Sequence, residues 1–197
     1  MSNPEPQDAV LIERSKRGDR HAFDDLVAKY QTRVYQFAYR LSGDGETASD
    51  LTAEAFVRVY TNLHRFRFDS KFTTWVFRIV TNCFLDLRKR EQVRKHESLE
   101  ELLTTADSEM KKQFGSEDES PLEIAERGER GKALEAAIQR LPEYQRAMIV
   151  MYHIEMLSYE EIAQTLDMPI GTVKSRLNRA RLALKQVLDP MQELFSG

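Results

Sequence analysis

Almost every run of apolar positions in this chain recurs at steps of three and four residues, the spacing of a helix with one buried face. The register predicts a short helix over 9–17, stopped near Gly18, and a longer one behind Asp19, a residue suited to N-capping. That second helix aligns Phe23, Leu26, Val27, Tyr30, Val34, Phe37, Ala38 and Leu41, and "SGDG" at 42–45 breaks it. A third, over 46–63, buries Ala48, Leu51, Ala55, Val59 and Leu63. "HRFRFDS" at 64–70 reads as a loop. "KFTTWVFRIVTNCFLDLRKR" is helical again, with Phe72, Trp75, Val76, Ile79, Val80, Cys83 and Leu87 on one face. Glycine and proline are sparse, so the expected fold class is all-α.

The periodicity weakens between 91 and 130, where twelve acidic side chains meet six basic ones. "FGSEDESP" at 114–121 has the composition of a flexible, acidic linker. Order resumes at Gly131, and "ALEAAIQRLPEYQRAMIVMYHIEM" reads as two helices, the second opened by Pro142. The expected organisation is two small helical domains, 1–95 and 131–197, joined by an acidic linker over 96–130.

The C-terminal domain ends in a helix pair. Ser158 and Glu161 form an S-x-x-E capping box, and Leu157 with Ile162 fits the hydrophobic staple around it. Asp167 suits a left-handed turn, and Pro169 suits the first turn of the next helix. There Val173, Leu177, Ala180, Leu184 and Val187 make a narrow buried stripe. At about 100° per residue, Ser175, Asn178 and Arg179 point away from it, and Lys174, Arg176, Arg181 and Lys185 lie on its flanks. Between Met168 and Lys185 there are five basic residues and no acid. This is a helix-turn-helix: the second helix enters a DNA major groove, with Thr172, Ser175, Asn178 and Arg179 near base edges and the cations on phosphates. A solvated basic helix on an ordinary bundle carries the same charge, but not the capping box, tight turn and single stripe together.

Charge changes the picture because the whole chain is slightly acidic, with a formal net charge of -3. A nucleic-acid surface must therefore be local. The one cysteine, Cys83, excludes an internal disulfide and suits a reducing compartment. The histidines are scattered, so no metal site or cofactor is expected, and no nucleophile–base pair or phosphate-binding glycine loop marks an enzyme. No signal peptide is visible at the N-terminus and no apolar run is long enough to span a bilayer, so the expected location is the cytoplasm.

Two blocks carry a family resemblance. "LPEYQRAMIVMYHIEMLSYEEIAQTLDMPIGTVKSRLNRARLALK" resembles the C-terminal promoter-binding domain of bacterial sigma factors. "FDDLVAKYQTRVYQFAYRLSGDGETASDLTAEAFVRVYTNLHRF" and "KFTTWVFRIVTNCFLDLRKR" resemble their core-binding and promoter-melting domain. Their order, with no third domain between them, resembles the extracytoplasmic-function group. The resemblance implies a subunit that binds core RNA polymerase and reads promoters. Asp50, Glu54, Arg58 and Asn62 would dock the clamp helices of β′, although Thr52-Ala53 departs from the larger polar residues common there. The C-terminal domain would meet the β flap and read the minus-thirty-five element. The loop residues Arg65, Phe66, Arg67, Phe68, Asp69, Ser70 and Lys71 would capture an extruded base of the minus-ten element. Arg78, Asn82, Arg88 and Lys89 would follow the DNA beside it. The linker would pass toward the RNA exit path, a role whose acidity a solvated tether shares. An anti-sigma factor is an implied partner, and the nucleoid, through polymerase, the implied location. A helical sensor domain on a dimeric DNA-binding regulator is the competing reading, but it needs no loop and helix like those at 64–90.

Overall fold

A computed structural model describes the backbone of residues 6–101 and 121–190 and the side chains of 7–94 and 130–190. Eight α-helices are described: α1 Pro6–Lys16, α2 Arg20–Ser42, α3 Gly45–Asn62, α4 Phe72–Glu101, α5 Pro121–Gln139, α6 Glu143–Ile149, α7 Tyr159–Leu166 and α8 Ile170–Leu188. The chain is two all-helical domains connected by a linker, with the helix-turn-helix in the second. Helix occupies both ends of the stretch expected as flexible linker, since α4 runs to Glu101 and α5 begins at Pro121. Glu, Lys, Arg and Leu around 91–101 are good helix formers and carry α4 onward. "FGSEDES" at 114–120 lies outside the described residues.

Local chemistry sets the helix ends. Asp19 caps α2 by accepting from the Ala22 N–H at 3.2 Å, and Asp44 caps α3 by accepting from the Thr47 N–H at 2.7 Å. Gly43 ends α2 in the left-handed region at φ 77°, its N–H donating to the Tyr39 carbonyl. A Cβ there would run into the Gln139 side chain.

Helix α4 explains why the two domains pack together. Phe72, Val76, Val80 and Cys83 form the inward row expected from the sequence. A second buried row, Thr74, Phe77, Thr81 and Phe84, lies on another face of the helix. Phe77 stacks on Phe37 of α2, with centroids 4.2 Å apart, and α4 also packs against α6 and α7. One buried cluster therefore runs from Ile12 through Phe37 and Phe84 to Met148, Ile162 and Leu177.

The C-terminal end of α2 is closed by the second domain. A helix leaves its last carbonyls without partners. Gln139 Nε2 donates to the Arg40 carbonyl at 2.8 Å and Arg146 Nη1 donates to that of Leu41 at 2.6 Å. Arg88 Nη2, from α4, takes the Ser42 carbonyl at 3.2 Å. Arg146 also holds the carbonyls of Gln139 and Leu141, at 2.7 and 3.1 Å. Its burial, with Arg88 nearby, lowers its pKa. Glu155 pairs with Arg33 at 3.1 Å and Arg40 at 3.4 Å, its own side chain 5% exposed. Glu161 joins the domains too: one oxygen accepts from the Ser158 N–H inside the capping box, the other from the Thr74 hydroxyl at 3.1 Å.

Candidate nucleic-acid and polymerase faces

Helix α8 is positioned by the turn before it. Both halves of the Ser158–Glu161 capping box form, with Leu157 and Ile162 buried beside it. Asp167 takes the left-handed conformation at φ 49°, and α8 starts immediately after Pro169. Val173, Leu177 and Ala180 are buried. Lys174, Ser175, Arg176, Asn178, Arg179 and Lys185 are exposed, while Thr172 and Arg181 are half-buried. Ser175 Oγ donates back to the Thr172 carbonyl at 3.0 Å. No acidic group pairs with any α8 cation among the described residues.

The two flanks of α8 differ. On one side Arg176 and Arg179 border a shallow pocket with Pro142, Tyr144, Gln145 and Met148. On the other, Lys174 lies 5.8 Å from the Tyr159 ring centroid and Arg181 4.8 Å from that of Tyr152. The tyrosines were not read from the sequence. Tyr152 belongs to a π-helical turn, Val150–Ile154, where the 3.6-residue period fails.

The loop after α3 is an aromatic base under a charged rim. Phe66 is 2% exposed and packs on Phe68, Phe72 and Trp75, with centroids 5.0, 5.7 and 5.2 Å away. It anchors the loop and offers no ring face to a base, so it leaves the set of capture residues. Phe68 is half-buried, with φ 61°. Lys16 fixes both, donating to the Phe66 carbonyl at 2.9 Å and lying 4.5 Å from the Phe68 centroid. Arg65, Arg67, Asp69 and Lys71 form the exposed rim, with Ser70 half-buried among them. Trp75 is half-buried against the core.

Spacings of seven, four and seven place Lys71, Arg78, Asn82 and Lys89 on one exposed stripe beside that rim. Arg88 falls off this stripe. Its guanidinium is engaged within the first domain, by Glu91 at 2.7 Å and by the Ser42 carbonyl at 3.2 Å.

On α3, Asp50 and Glu54 are exposed as expected. Arg58 pairs with the exposed Glu54 and, at 3.5 Å, with the exposed Asp86, and Asn62 donates to the Arg58 carbonyl at 2.9 Å. These bonds tie Glu54, Arg58 and Asn62 to one another or to Asp86, and Asp50 alone of the four carries none among the described residues. An apolar groove between α2 and α3 has a volume of about 440 Å³ and is lined by Arg20, Phe23, Asp24, Phe56, Val57 and Tyr60. Val57 and Tyr60 are 63% and 46% exposed. Their i, i+3 spacing on the outer side of α3 was a signal the polar-face reading passed over. Cys83 is buried and its thiol pushed up to about 11 by that burial, so it is not a reactive group. Among the described residues no cluster of His, Cys, Asp or Glu could hold a metal ion, and no helix is long and apolar enough to cross a membrane.

Two exposed cationic faces on two helical domains, one of them a helix-turn-helix, are the pattern of a protein that binds nucleic acid. The Sigma-70 region 2 family matches residues 26–94, and the Sigma-70, region 4 family matches 131–184. The ECF RNA polymerase sigma factor SigW of Bacillus subtilis is 36% identical over 177 residues, 90% of this chain and 94% of SigW. The RNA polymerase sigma-H factor of Pseudomonas aeruginosa is 37% identical over 187 residues, 94% and 95% of the two chains. The structure of CnrH in complex with the cytosolic domain of CnrY superposes with a TM-score of 0.63 at 25% identity, covering 94% of this chain and 99% of CnrH. The chain belongs to the extracytoplasmic-function group of RNA polymerase sigma factors. Its function is to direct RNA polymerase to promoters, and it is not an enzyme.

Proposed function

We propose that this chain docks core RNA polymerase through the α3 groove with Asp50 and Glu54, and reads promoter DNA with two separate faces. Helix α8 enters the major groove of the upstream element. The 65–71 rim and the Lys71–Lys89 stripe hold the strand and the extruded base of the minus-ten element, where cations meet phosphates and an aromatic base supports the loop. The observation that carries this reading is the set of exposed cations on α8 and the loop with no acidic partner among the described residues.

The packed arrangement has a mechanical consequence. Elements about 25 base pairs apart lie roughly 85 Å apart at the rise of duplex DNA. A compact chain of this length has a radius of gyration of only about 16 Å. Reading both elements at once therefore requires the junction around Arg146 and Glu155 to part. The α3 groove is open while the domains are packed, so core polymerase has a docking face before that separation.

An anti-sigma factor is part of the reading, since CnrH was solved bound to the cytosolic domain of another protein. The working location is the cytoplasm, on the nucleoid with polymerase. The test is transcription from a promoter library by core polymerase with and without the chain. A distinct promoter set that depends on the chain supports the reading; transcripts identical with and without it would refute it.

A further inference from the structure

We infer that Tyr152, His153 and Tyr159 form an uncharged cradle that presents Arg181, with Lys174 beside it, to a single backbone phosphate at the edge of the upstream element. The inference rests on the proposed reading of α8 and adds three positioning residues to it.

The cradle is built from two elements outside α8. Tyr152 and Tyr159 stack with centroids 5.1 Å apart and ring planes 16° apart. Arg181 lies over the Tyr152 ring, and its Nε donates to His153 Nε2 at 3.0 Å. Tyr152 first and Arg181 second lower the pKa of the Tyr159 phenol. His153 packs edge-on against Tyr152, 4.9 Å between centroids. The π-helical turn makes this possible, because it keeps Val150 and Met151 in the core while turning Tyr152 and His153 toward α8. Such turns recur at functional positions.

Arg181 differs from the ion-paired arginines in the charge of its partners. Arg33 and Arg40 hold Glu155, Arg14 holds Asp19, and Arg58 holds Glu54 and Asp86. Arg181 is fixed too, yet by an imidazole and a ring face. Partial desolvation first, and Arg181 itself second, lower the pKa of the exposed His153 and so favour the neutral form that accepts the bond. Of the acids on α7, Glu161 is engaged by Ser158 and Thr74, and Glu160 is exposed without an ion pair. The guanidinium is thus oriented without being neutralised, and its remaining N–H groups are available to an anion. Lys174 and Arg181 lie seven residues apart, on the side of α8 that faces α7. In a helix-turn-helix the first helix crosses the sugar–phosphate backbone while the second sits in the groove. The chemistry and the place both select a phosphate diester of the groove wall.

The test uses holoenzyme, made from core polymerase and the full chain, on promoter duplexes carrying one uncharged methylphosphonate at each upstream position in turn. The expected result is one position where wild type loses about tenfold in affinity, a loss typical of one charged contact. Arg181→Ala should lose a similar factor on natural DNA and nothing further at that position, and its salt slope should fall by about 0.9. His153→Leu should weaken the same position, and His153→Gln, which keeps an acceptor, should restore it. Tyr159→Phe should give a partial loss confined to that phosphate. If Arg181→Ala and wild type respond alike at every position, or if His153→Gln is as defective as His153→Leu, the cradle is wrong. If wild-type holoenzyme shows no preference for any upstream sequence, the underlying reading of α8 fails instead.

Discussion

The arginines at the domain junction and those on the outer faces have opposite surroundings. Arg33 and Arg40 clasp a nearly buried carboxylate, and Arg146 fills carbonyls at a helix end. Arg65, Arg67, Arg176 and Arg179 stand exposed without an ion pair among the described residues. The first group is engaged in holding two domains together and has little left for a ligand. The second contributes little to the fold and repels itself, an arrangement that favours binding to an anionic polymer. One side-chain type thus has two jobs, and the partner, rather than the residue, distinguishes them.

The comparison breaks most severely at Arg146. Arg146→Leu strands the carbonyls of Leu41, Gln139 and Leu141 in a buried site, at a cost of about 3 kcal/mol. Chemical denaturation should show that loss and small-angle scattering a larger radius. A variant as compact and stable as wild type would remove Arg146 from the junction. Glu155→Ala is milder: it should loosen the packing without unfolding either domain, because Arg33 and Arg40 then face each other uncompensated.

Replacing Arg67, Asp69 and Ser70 together probes the outer group. Core binding and closed-promoter binding should persist, while open-complex formation falls by about tenfold or more, because an extruded base is no longer held. Permanganate reactivity of unpaired thymines measures this, and a pre-melted bubble should recover part of the activity. Normal melting would move base capture to the Arg78 and Asn82 stripe. Charge reversal at Asp50 and Glu54, or Tyr60→Ala in the groove, should weaken holoenzyme assembly by roughly tenfold with helicity unchanged. Retained affinity in both would place core docking elsewhere.

Asn178→Ala should change base preference at one upstream position by about 1–3 kcal/mol, read by competition among promoter variants. The smallest expected effect concerns pH. The lowered pKa of His153 means that the unfolded chain protonates there before the folded one does. Stability should therefore fall as the pH drops below about 6.5 toward the folded value, and His153→Gln should lessen the slope.

Regular helices were the legible part. On α8 the angle per residue alone separates Val173, Leu177 and Ala180 from Ser175, Asn178 and Arg179, and the structure buries and exposes them accordingly. The Ser158–Glu161 box was equally local. What escaped depends on contacts between elements. Phe66 and Phe68 have the same composition context, but only tertiary packing decides that Phe66 turns inward. Arg88 looks like one more terminal cation until the Ser42 carbonyl claims it. The tyrosine pair escaped because it spans a π-helical turn and the helix after it. The second buried row of α4 did leave a trace: Phe77 and Phe84 sit outside the stripe expected of it, as they would on a helix packed on two sides.

The division of the cations is tested most directly by the salt dependence of holoenzyme binding to an upstream-element duplex. Removing Lys174, Arg176 and Lys185 together should lower the slope of log K against log salt by about 2.7, three phosphates at about 0.9 each. Removing Arg33 and Arg40 should leave the slope as it was. Equal slopes for the two variants would contradict the account, because the outer cations would then be no more reserved for DNA than those that hold the domains together.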